Sequence, residues 1–214
     1  MSRLVLLAAS GLAAEVVSAI RAAGCDEIVG VLDDDPRRIG TRFGQWTISG
    51  SVDDVREFRD AAFVVCAGSG RARAAIVARA VAAGVEPDDF AAIVDPTVHV
   101  PEGCSVGAGS IVLAQTVLTA NVSVGAHVVV MPHVVLTHDC VVDDFATICA
   151  GTVLGGGVRV ESGAYLGMNS SVRENVTIGR GSVLGMGAVA LSDVPAGETR
   201  IGCPAVRLEK LGVA

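Results

Sequence analysis

The chain has 214 residues, of which 51% are hydrophobic and only 3% aromatic, and its formal net charge is −7. A chain of this length can bury one or two hydrophobic cores without disulfide bonds, and its negative charge disfavours binding to the DNA or RNA backbone. With so few aromatic side chains and 26 glycines, the interior must be built from Val, Ala, Leu and Ile, which favours stacked strands.

The N-terminal run at 1–10 is too short to span a membrane and lacks the pattern of a cleaved signal peptide. We therefore expect a cytoplasmic protein with no membrane partner. The cysteines form no Cys-x-x-Cys pair and no ligand cluster, so we interpret them as small buried hydrophobic residues rather than as disulfides or a metal site. They are Cys25, Cys66, Cys104, Cys140, Cys149 and Cys203.

Residues 1–93 alternate short aliphatic runs with helical patterns, which predicts βαβ units around a small parallel sheet, as in a Rossmann-like α/β domain. Strands are predicted at 3–8, 27–32 and 62–67, and helices at 12–23 and 72–83. Ligands of such sheets bind at the carboxyl ends of the strands. If the three strands are neighbours, the segments that follow them converge on one edge of the sheet.

From Val94 to Leu184 every sixth residue is aliphatic, sixteen in succession. If one residue in three were Val, Ile or Leu, such a run would arise by chance roughly once in tens of millions of trials. A small or β-branched residue stands two positions before each, and glycine often follows. Three faces of six residues close a triangular coil of 18, and coils stack at about 4.7–4.9 Å. The register predicts about five coils.

His138 is the candidate catalytic residue. It stands two residues after the inward-pointing Leu136, and Asp139 follows it. A carboxylate beside an imidazole holds its tautomer and raises its basicity, which general-base catalysis requires. In the 18-residue register His138 lies over Gly156, whose backbone N–H could stabilise an oxyanion. The alternative is that the three glycines at 155–157 merely ease a corner.

The other histidines are interpreted differently. His99 and His127 are expected to be solvated loop residues. His133 and His138 are five apart, a spacing similar to that of the zinc pair in γ-class carbonic anhydrases, but His99 misses the position of a third ligand two coils earlier. We therefore expect no metal, and a zinc lyase remains an alternative.

Three C-terminal strings, Leu166–Ser170, Leu184–Ala188 and Ile201–Ala205, place small residues and free backbone on one side of adjacent coils. They resemble the coenzyme A groove of hexapeptide acyltransferases, which lies between neighbouring subunits of a trimer. With the βαβ domain and the segment 138–140, nearly the whole chain resembles the nucleotide-amino-sugar N-acetyltransferases of the bacillosamine and perosamine pathways.

This resemblance implies an acetyl-CoA-dependent, homotrimeric N-acetyltransferase. A nucleotide-sugar-binding domain at 1–93 would precede a left-handed β-helix of hexapeptide repeats at 94–214. His138 would be the general base toward the sugar amine, and Asp139 would increase its basicity. The coenzyme would contact Gly156, Thr147, Met168 and Met186, and the nucleotide sugar would contact Ser10, Gly11, Leu12, Asp33, Asp34 and Gly68.

The chain departs from the family pattern at two places: Leu12 replaces a common loop histidine, and Thr147 replaces the second histidine of the bacillosamine-type enzymes. Two other functions stay open. The first is O-acetylation of a sugar hydroxyl, as in sialic acids, which assays on paired amino and hydroxy sugars would distinguish. The second is a non-catalytic nucleotide-binding scaffold, which calorimetry with coenzyme A would distinguish.

Overall fold

The computed structural model describes residues 2–24 and 26–208, and the N-terminal part is the predicted α/β domain. Its elements are β1 (Ser2–Leu7), α1 (Gly11–Ala23), β2 (Asp26–Leu32), β3 (Arg42–Phe43), β4 (Trp46–Gly50), β5 (Ala62–Val65) and α2 (Gly70–Ala82), with 3-10 helices at Val52–Phe58 and Pro87–Asp89. The sheet order is β3-β4-β2-β1-β5, and β1 is parallel to both β2 and β5. The predicted strands are therefore neighbours.

Helix α1 is held at both ends by capping residues. The Ser10 hydroxyl accepts a hydrogen bond from Ala13 N, and Gly24 ends the helix in the left-handed conformation, with φ 65°. The apolar side of α1 packs on the sheet through residues such as Val16 and Ile20. Because Ser10 follows closely on β1, the loop between strand and helix is a tight turn at the carboxyl edge of the sheet.

The β3–β4 hairpin is absent from the sequence prediction. Its two antiparallel strands pair through Arg42 with Thr47 and Phe43 with Trp46. The indole of Trp46 donates a hydrogen bond from Nε1 to the Ile28 carbonyl at 2.9 Å, which anchors the hairpin beside β2. With two residues, β3 is too short to show the alternating pattern by which strands are predicted. β4 has five residues and does alternate, with Thr47 and Ser49 exposed and Ile48 buried, so its pattern was present in the sequence and was missed.

Residues 93–190 form a left-handed parallel β-helix, as predicted, and an antiparallel pair of short strands follows it within the described residues. The strands from residue 93 onward each have two or three residues: β6 (Ile93–Val94), β7 (Ser105–Val106), β8 (Ile111–Val112), β9 (Val117–Leu118), β10 (Ser123–Val124), β11 (Val129–Val130), β12 (Val135–Leu136), β13 (Val141–Val142), β14 (Thr147–Ile148), β15 (Val153–Leu154), β16 (Arg159–Val160), β17 (Tyr165–Leu166), β18 (Ser171–Val172), β19 (Thr177–Ile178), β20 (Val183–Leu184), β21 (Val189–Ala190), β22 (Thr199–Ile201) and β23 (Val206–Arg207).

Residues 18 apart pair in parallel, as Leu136 does with Leu154 and Leu154 with Val172. The fifteen strands from β7 to β21 make five coils, which confirms the predicted number. The inward aliphatic residues form one continuous hydrophobic core along the prism. The first paired strand, β6, begins at Ile93, one residue before the predicted domain boundary.

The prism has three faces, each formed by one sheet. The junction face contains β6, β8, β11, β14, β17, β20, β22 and β23, and the N-terminal part packs on it through a shared core that includes Ile111 and Val129. The polar face contains β7, β10, β13, β16 and β19. The valine face contains β9, β12, β15, β18 and β21, and its outward positions are Val117, Val135, Val153, Ser171 and Val189.

Two edges of the prism matter below. The histidine edge consists of the turns from the valine face to the polar face, including 137–140 and 155–158. The methionine edge consists of the turns from the junction face to the valine face, including 167–170 and 185–188. In each turn of the coils one residue has a positive φ, a conformation that glycine and, among the other residues, Asn, Asp and His adopt most readily. These residues are Gly103, Gly109, Gln115, Asn121, His127, His133, Asp139, Phe145, Gly151, Gly157, Gly163, Asn169, Asn175, Gly181 and Gly187.

Arg73 of α2 joins the two parts of the molecule. Its side chain is fully buried, and burial lowers its pKa to about 10. Nε donates to the His127 carbonyl (2.8 Å), Nη1 to that of Ala67 (2.7 Å), and Nη2 to that of Ala146 (2.8 Å) and to Thr147 Oγ1 (3.0 Å). Within the described ranges no carboxylate pairs with it, so oxygen dipoles alone compensate the charge.

Replacing Arg73 with methionine is expected to lower the free energy of unfolding by about 3 kcal/mol, because several buried carbonyl oxygens lose their donors. Thermal denaturation followed by circular dichroism measures the effect. Arg71→Met is the matched control, since Arg71 lies on the same helix and is exposed. Equal melting temperatures for the two variants would contradict this account of the junction.

The structure corrects the interpretation of His127. Its side chain is buried at the junction, stacked on Phe145 at 5.1 Å between ring centres and edge-on to Phe90 at 4.9 Å. Burial, followed by the charge of Arg73, lowers the pKa of His127. Docking of the N-terminal part covers a turn that the repeat alone would leave in solvent. His99 is exposed, as predicted.

The cysteines in the described ranges are all unbridged. Cys66, Cys140 and Cys149 are buried as predicted, and Cys104 is partly buried. Cys203 is exposed, so the prediction was wrong there: it lies in a turn beyond the five coils, where no further coil covers it. Cys25 lies outside the described residues. Among the helices of the described ranges, none combines the length and the apolar character that a membrane span requires.

Candidate active site

His138 and Asp139 lie on the histidine edge and form a hydrogen-bonded pair. His138 Nδ1 is 2.8 Å from Asp139 Oδ2, and the two side chains are 66% and 58% exposed. Hydrogen bonds from His138, then from Asn121, lower the pKa of Asp139. The ionised carboxylate can only accept a hydrogen bond, so Nδ1–H donates to it, and in this tautomer the lone pair of the imidazole is on Nε2.

The ring of His138 lies directly against Gly156. A methyl group built on Gly156 would overlap Cε1 and Nε2 of the ring. The positive φ of this turn falls on the next residue, Gly157 (φ 69°), so the turn itself does not require glycine at 156. At the same turn position in other coils the chain carries side chains, among them Ala120, Ala150, Ser162 and Glu174. Glycine is needed at 156 because a side chain there would collide with the imidazole, whereas Gly157 provides the positive φ of the turn.

The backbone N–H of Gly156 is also unengaged. The Gly156 carbonyl accepts a hydrogen bond from Asn175 N at 2.9 Å, but among residues 2–24 and 26–208 nothing accepts one from Gly156 N. A proton acceptor, Nε2, and a free N–H donor therefore lie side by side on one edge. Nε2 can take the proton of a nucleophile that attacks a carbonyl carbon, and the N–H can stabilise the oxyanion that forms in the same step.

Met168 and Met186 lie on the methionine edge, 48% and 73% exposed. Their turns stack directly, since Gly187 N donates to the Met168 carbonyl at 2.8 Å and a side chain at Gly167 would meet the Met186 backbone. The valine face separates this edge from His138. A single chain therefore does not bring these predicted coenzyme contacts to the histidine.

The predicted nucleotide-binding segments meet at the carboxyl edge of the N-terminal sheet. Ser10 Oγ donates to the Cys66 carbonyl at 2.6 Å, and Asp33 Oδ2 accepts from Ala9 N (2.8 Å) and Arg38 Nη1 (2.9 Å). Asp33 thus ties the loops after β1 and β2 together. Around Gly11 nothing lies within 4 Å of the side-chain position, so the turn is open.

Two of the predicted substrate residues are already engaged by the protein. Leu12 is buried in the N-terminal core, so its side chain is not free to contact a ligand. Asp34 accepts a hydrogen bond from Val52 N at 3.1 Å and pairs with Arg79 at 2.6 Å. Both side chains are therefore occupied within the protein.

A groove of about 490 Å³ lies where the loop after β5 meets the junction face and the methionine edge. Thr147 lines it, with its hydroxyl donating to the Gly68 carbonyl at 2.9 Å. Tyr165 lines it as well, and a hydrogen bond with Cys149 raises the pKa of Tyr165 to about 12. The groove is lined by Gly68, Ser69, Gly70, Arg71, Met131, Thr147, Cys149, Gly163, Tyr165, Gly181, Ser182 and Val183.

Sequence reasoning missed Arg71 and Tyr165, because the groove exists only where the two parts dock. The repeat does predict that the Tyr165 side chain points outward from the prism. It does not predict which face of the prism the N-terminal part covers. A second, smaller cavity of about 380 Å³ lies near the end of α2, lined by residues such as Arg56 and Val85, away from these groups.

The structure places His133 on the methionine edge and His138 on the histidine edge. Over residues 2–24 and 26–208 no three His, Cys, Asp or Glu side chains group closely enough to hold a metal ion. The zinc alternative therefore finds no ligand set in this part of the chain.

Comparison with known proteins gives the same picture. Residues 3–80 match the family described as the PglD N-terminal domain. No curated protein sequence shows significant similarity to the chain.

Solved structures match almost the whole chain. A variant of perosamine N-acetyltransferase from Caulobacter crescentus, in complex with CoA and GDP-perosamine, is 25% identical with a TM-score of 0.87, covering 98% of each chain. The acetyltransferase domain of PglB from Neisseria gonorrhoeae, in complex with acetyl coenzyme A, is 27% identical with a TM-score of 0.86, covering 96% of this chain and 98% of that one. WeeI from Acinetobacter baumannii is 25% identical with a TM-score of 0.87, covering 97% of this chain and 100% of that one.

The sequence match covers most of the N-terminal domain, and the structural matches cover that domain together with the uninterrupted hexapeptide prism that follows it. Residues 3–80 thus match the PglD N-terminal domain family, and nearly the whole chain is similar in fold to perosamine N-acetyltransferase and to the acetyltransferase domain of PglB.

Proposed function

We propose that the protein transfers the acetyl group of acetyl-CoA to the amine of a nucleotide-linked amino sugar, with His138 as general base. The observation that carries the proposal is the juxtaposition of His138 Nε2 and the unengaged Gly156 N–H on one edge. The relatives with bound CoA or acetyl coenzyme A, one of them also holding GDP-perosamine, support the choice of both substrates.

The chemistry needs no covalent enzyme intermediate, because a deprotonated amine is itself nucleophilic. The sugar nitrogen bonds to the thioester carbon, His138 Nε2 takes the proton that the nitrogen loses, and Asp139 stabilises the imidazolium. Gly156 N–H stabilises the oxyanion of the tetrahedral intermediate. The C–S bond then breaks, and the departing CoA sulfur receives the proton from His138.

The active site requires a second subunit, since the methionine edge and the histidine edge are separated within one chain. The outward side chains of the valine face are apolar at four of five positions, which suits burial in a subunit interface. Three copies related by a threefold axis, with the valine faces inward, bring the histidine edge of one subunit against the methionine edge of the next. Coenzyme A would lie in that cleft, along Met168 and Met186.

The same arrangement places the partner's groove opposite His138. A nucleotide held at Ser10, Gly11 and Gly68 of one subunit would direct its sugar along the groove, toward the histidine edge of the neighbour. A cytoplasmic location, with neither nucleic acid nor a membrane as partner, is consistent with the net charge of −7.

Replacing Val153 with glutamate is expected to dissociate the trimer, because three carboxylates would be buried close together around the axis. Light scattering after size-exclusion chromatography measures the oligomeric state. Ser123→Glu, an equivalent change on the polar face, is expected to leave the trimer intact. A Val153→Glu variant that remains trimeric would contradict the inward orientation of the valine face.

The function is tested with two nucleotide sugars that differ only in an amino or a hydroxyl group at the same carbon. Mass spectrometry of the products after incubation with acetyl-CoA should show acetylation of the amino sugar alone. Acetylation of the hydroxyl would instead favour an O-acetyltransferase. If neither sugar is modified and calorimetry with coenzyme A gives no heat, the chain is a non-catalytic scaffold.

A further inference from the structure

Asn121 lies one coil away from Asp139 on the histidine edge, at the equivalent turn position. Both residues have a left-handed backbone, with φ 54° and 60°. Asn121 Nδ2 donates a hydrogen bond to Asp139 Oδ1 at 3.1 Å, while Asp139 Oδ2 faces His138 Nδ1 at 2.8 Å. The two oxygens of one carboxylate are therefore held by two different partners, in the order Asn121, Asp139, His138.

The exposure of this pair makes the second partner important. An ion pair in solvent is weakly held, because both side chains are free to rotate and water competes for their hydrogen bonds. Asn121 restricts that freedom, since the amide engages Oδ1 and turns Oδ2 toward the imidazole. Alternative arrangements of the Asp139 carboxylate would lose one of the two bonds.

The turn itself does not require the Asn121 side chain. Other turns of the same edge have glycine at the equivalent position, at Gly103 and Gly157, with positive φ values of 85° and 69°. A glycine at position 121 would therefore allow the same backbone conformation without an amide side chain. The hydrogen bond to Asp139 is what the asparagine adds over glycine.

We propose that Asn121 is a positioning residue for acetyl transfer, which fixes the Asp139 carboxylate so that His138 keeps its proton on Nδ1 and directs Nε2 toward Gly156. This inference rests on the proposed function of His138. Asn121 itself touches neither the substrate nor the reacting atoms in this account.

Asn121→Gly is the appropriate variant, because glycine accepts the left-handed backbone without strain whereas alanine would add strain. We expect kcat to fall roughly 3- to 10-fold, the effect of one lost hydrogen bond, with KM unchanged for acetyl-CoA and for the amino sugar. Circular dichroism checks that the variant keeps the fold and thermal stability of the wild-type protein. Unchanged kcat in Asn121→Gly would overturn the role, and a loss of kcat that accompanies a loss of fold would assign the effect to stability instead.

A second comparison tests whether Asn121 acts through Asp139. In an Asp139→Gly background, adding Asn121→Gly should leave kcat unchanged, because the carboxylate that it positions is gone. If Asn121→Gly lowers kcat by the same factor in both backgrounds, its effect does not pass through Asp139 and the inference fails.

The tautomer of His138 provides a readout that is independent of turnover. In protein labelled with ¹⁵N-histidine, the His138 ring signals are identified by their loss in His138→Ala. Asn121→Gly should shift the His138 ring nitrogens away from the Nδ1-protonated tautomer, and unchanged shifts would overturn the inference. If the wild-type protein acetylates none of the sugars, the proposed function fails, and this measurement still decides the role of Asn121.

Discussion

Replacing His138 with alanine is expected to lower kcat by roughly 10²- to 10⁴-fold, the usual contribution of a general base. The fold and the oligomeric state should be retained, because the His138 side chain is 66% exposed and contributes little to the core. Steady-state kinetics with acetyl-CoA and an amino-sugar nucleotide measure the loss, and circular dichroism and light scattering check the fold.

His99→Ala is the control for this experiment, since His99 is an exposed loop residue outside the candidate site. It should acetylate at the wild-type rate. Near-normal turnover in His138→Ala would remove the proposed base, whatever other groups on the histidine edge contribute.

Replacing Gly156 with alanine is expected to lower kcat/KM by about 10²-fold, a loss typical of a catalytic group displaced by about 1 Å. The added methyl group would overlap the His138 ring, so the imidazole must move away from the thioester carbonyl. Because the φ of Gly156 is not positive, alanine adds no backbone strain, and the protein should fold normally.

Ala108→Ser is the control for Gly156→Ala, since it adds one atom at an exposed, equivalent turn position on the edge between the polar face and the junction face. A double variant identifies the cause of the loss. If Gly156→Ala acts by displacing the imidazole, it should have little further effect in a His138→Ala background. An equal loss in both backgrounds would show that the methyl group disturbs another part of the site.

The fold of residues beyond Val94 was predictable because a solenoid is quasi-one-dimensional. Each coil contacts its neighbours, so the period of six read from the sequence determines which residues point inward and which stack 18 apart. That register alone places His138 over Gly156, 18 residues later. The approach of the ring to the Cα of Gly156 and the bond from Asn121 require side-chain geometry, which the period does not contain.

The N-terminal domain was predictable in class but less so in detail. Its parallel strands follow from their aliphatic runs, but the two residues of β3 are too few to show a pattern. Asp34 is engaged by Arg79, which lies 45 positions away in the sequence. A motif on one loop therefore did not reveal which of its side chains the protein itself occupies.

The sequence alone determined the prism, its register and the pairing of an imidazole with an adjacent carboxylate and a glycine, because all of these follow from short-range repetition along the chain. The tertiary structure alone decided which face the N-terminal part covers, and thereby the burial of His127, the docking by Arg73 and the groove at Tyr165. The hydrogen bonds of Arg73 to His127 and Thr147, for example, join residues 54 and 74 positions apart. Such contacts depend on how two complementary surfaces fit, which no periodic pattern encodes.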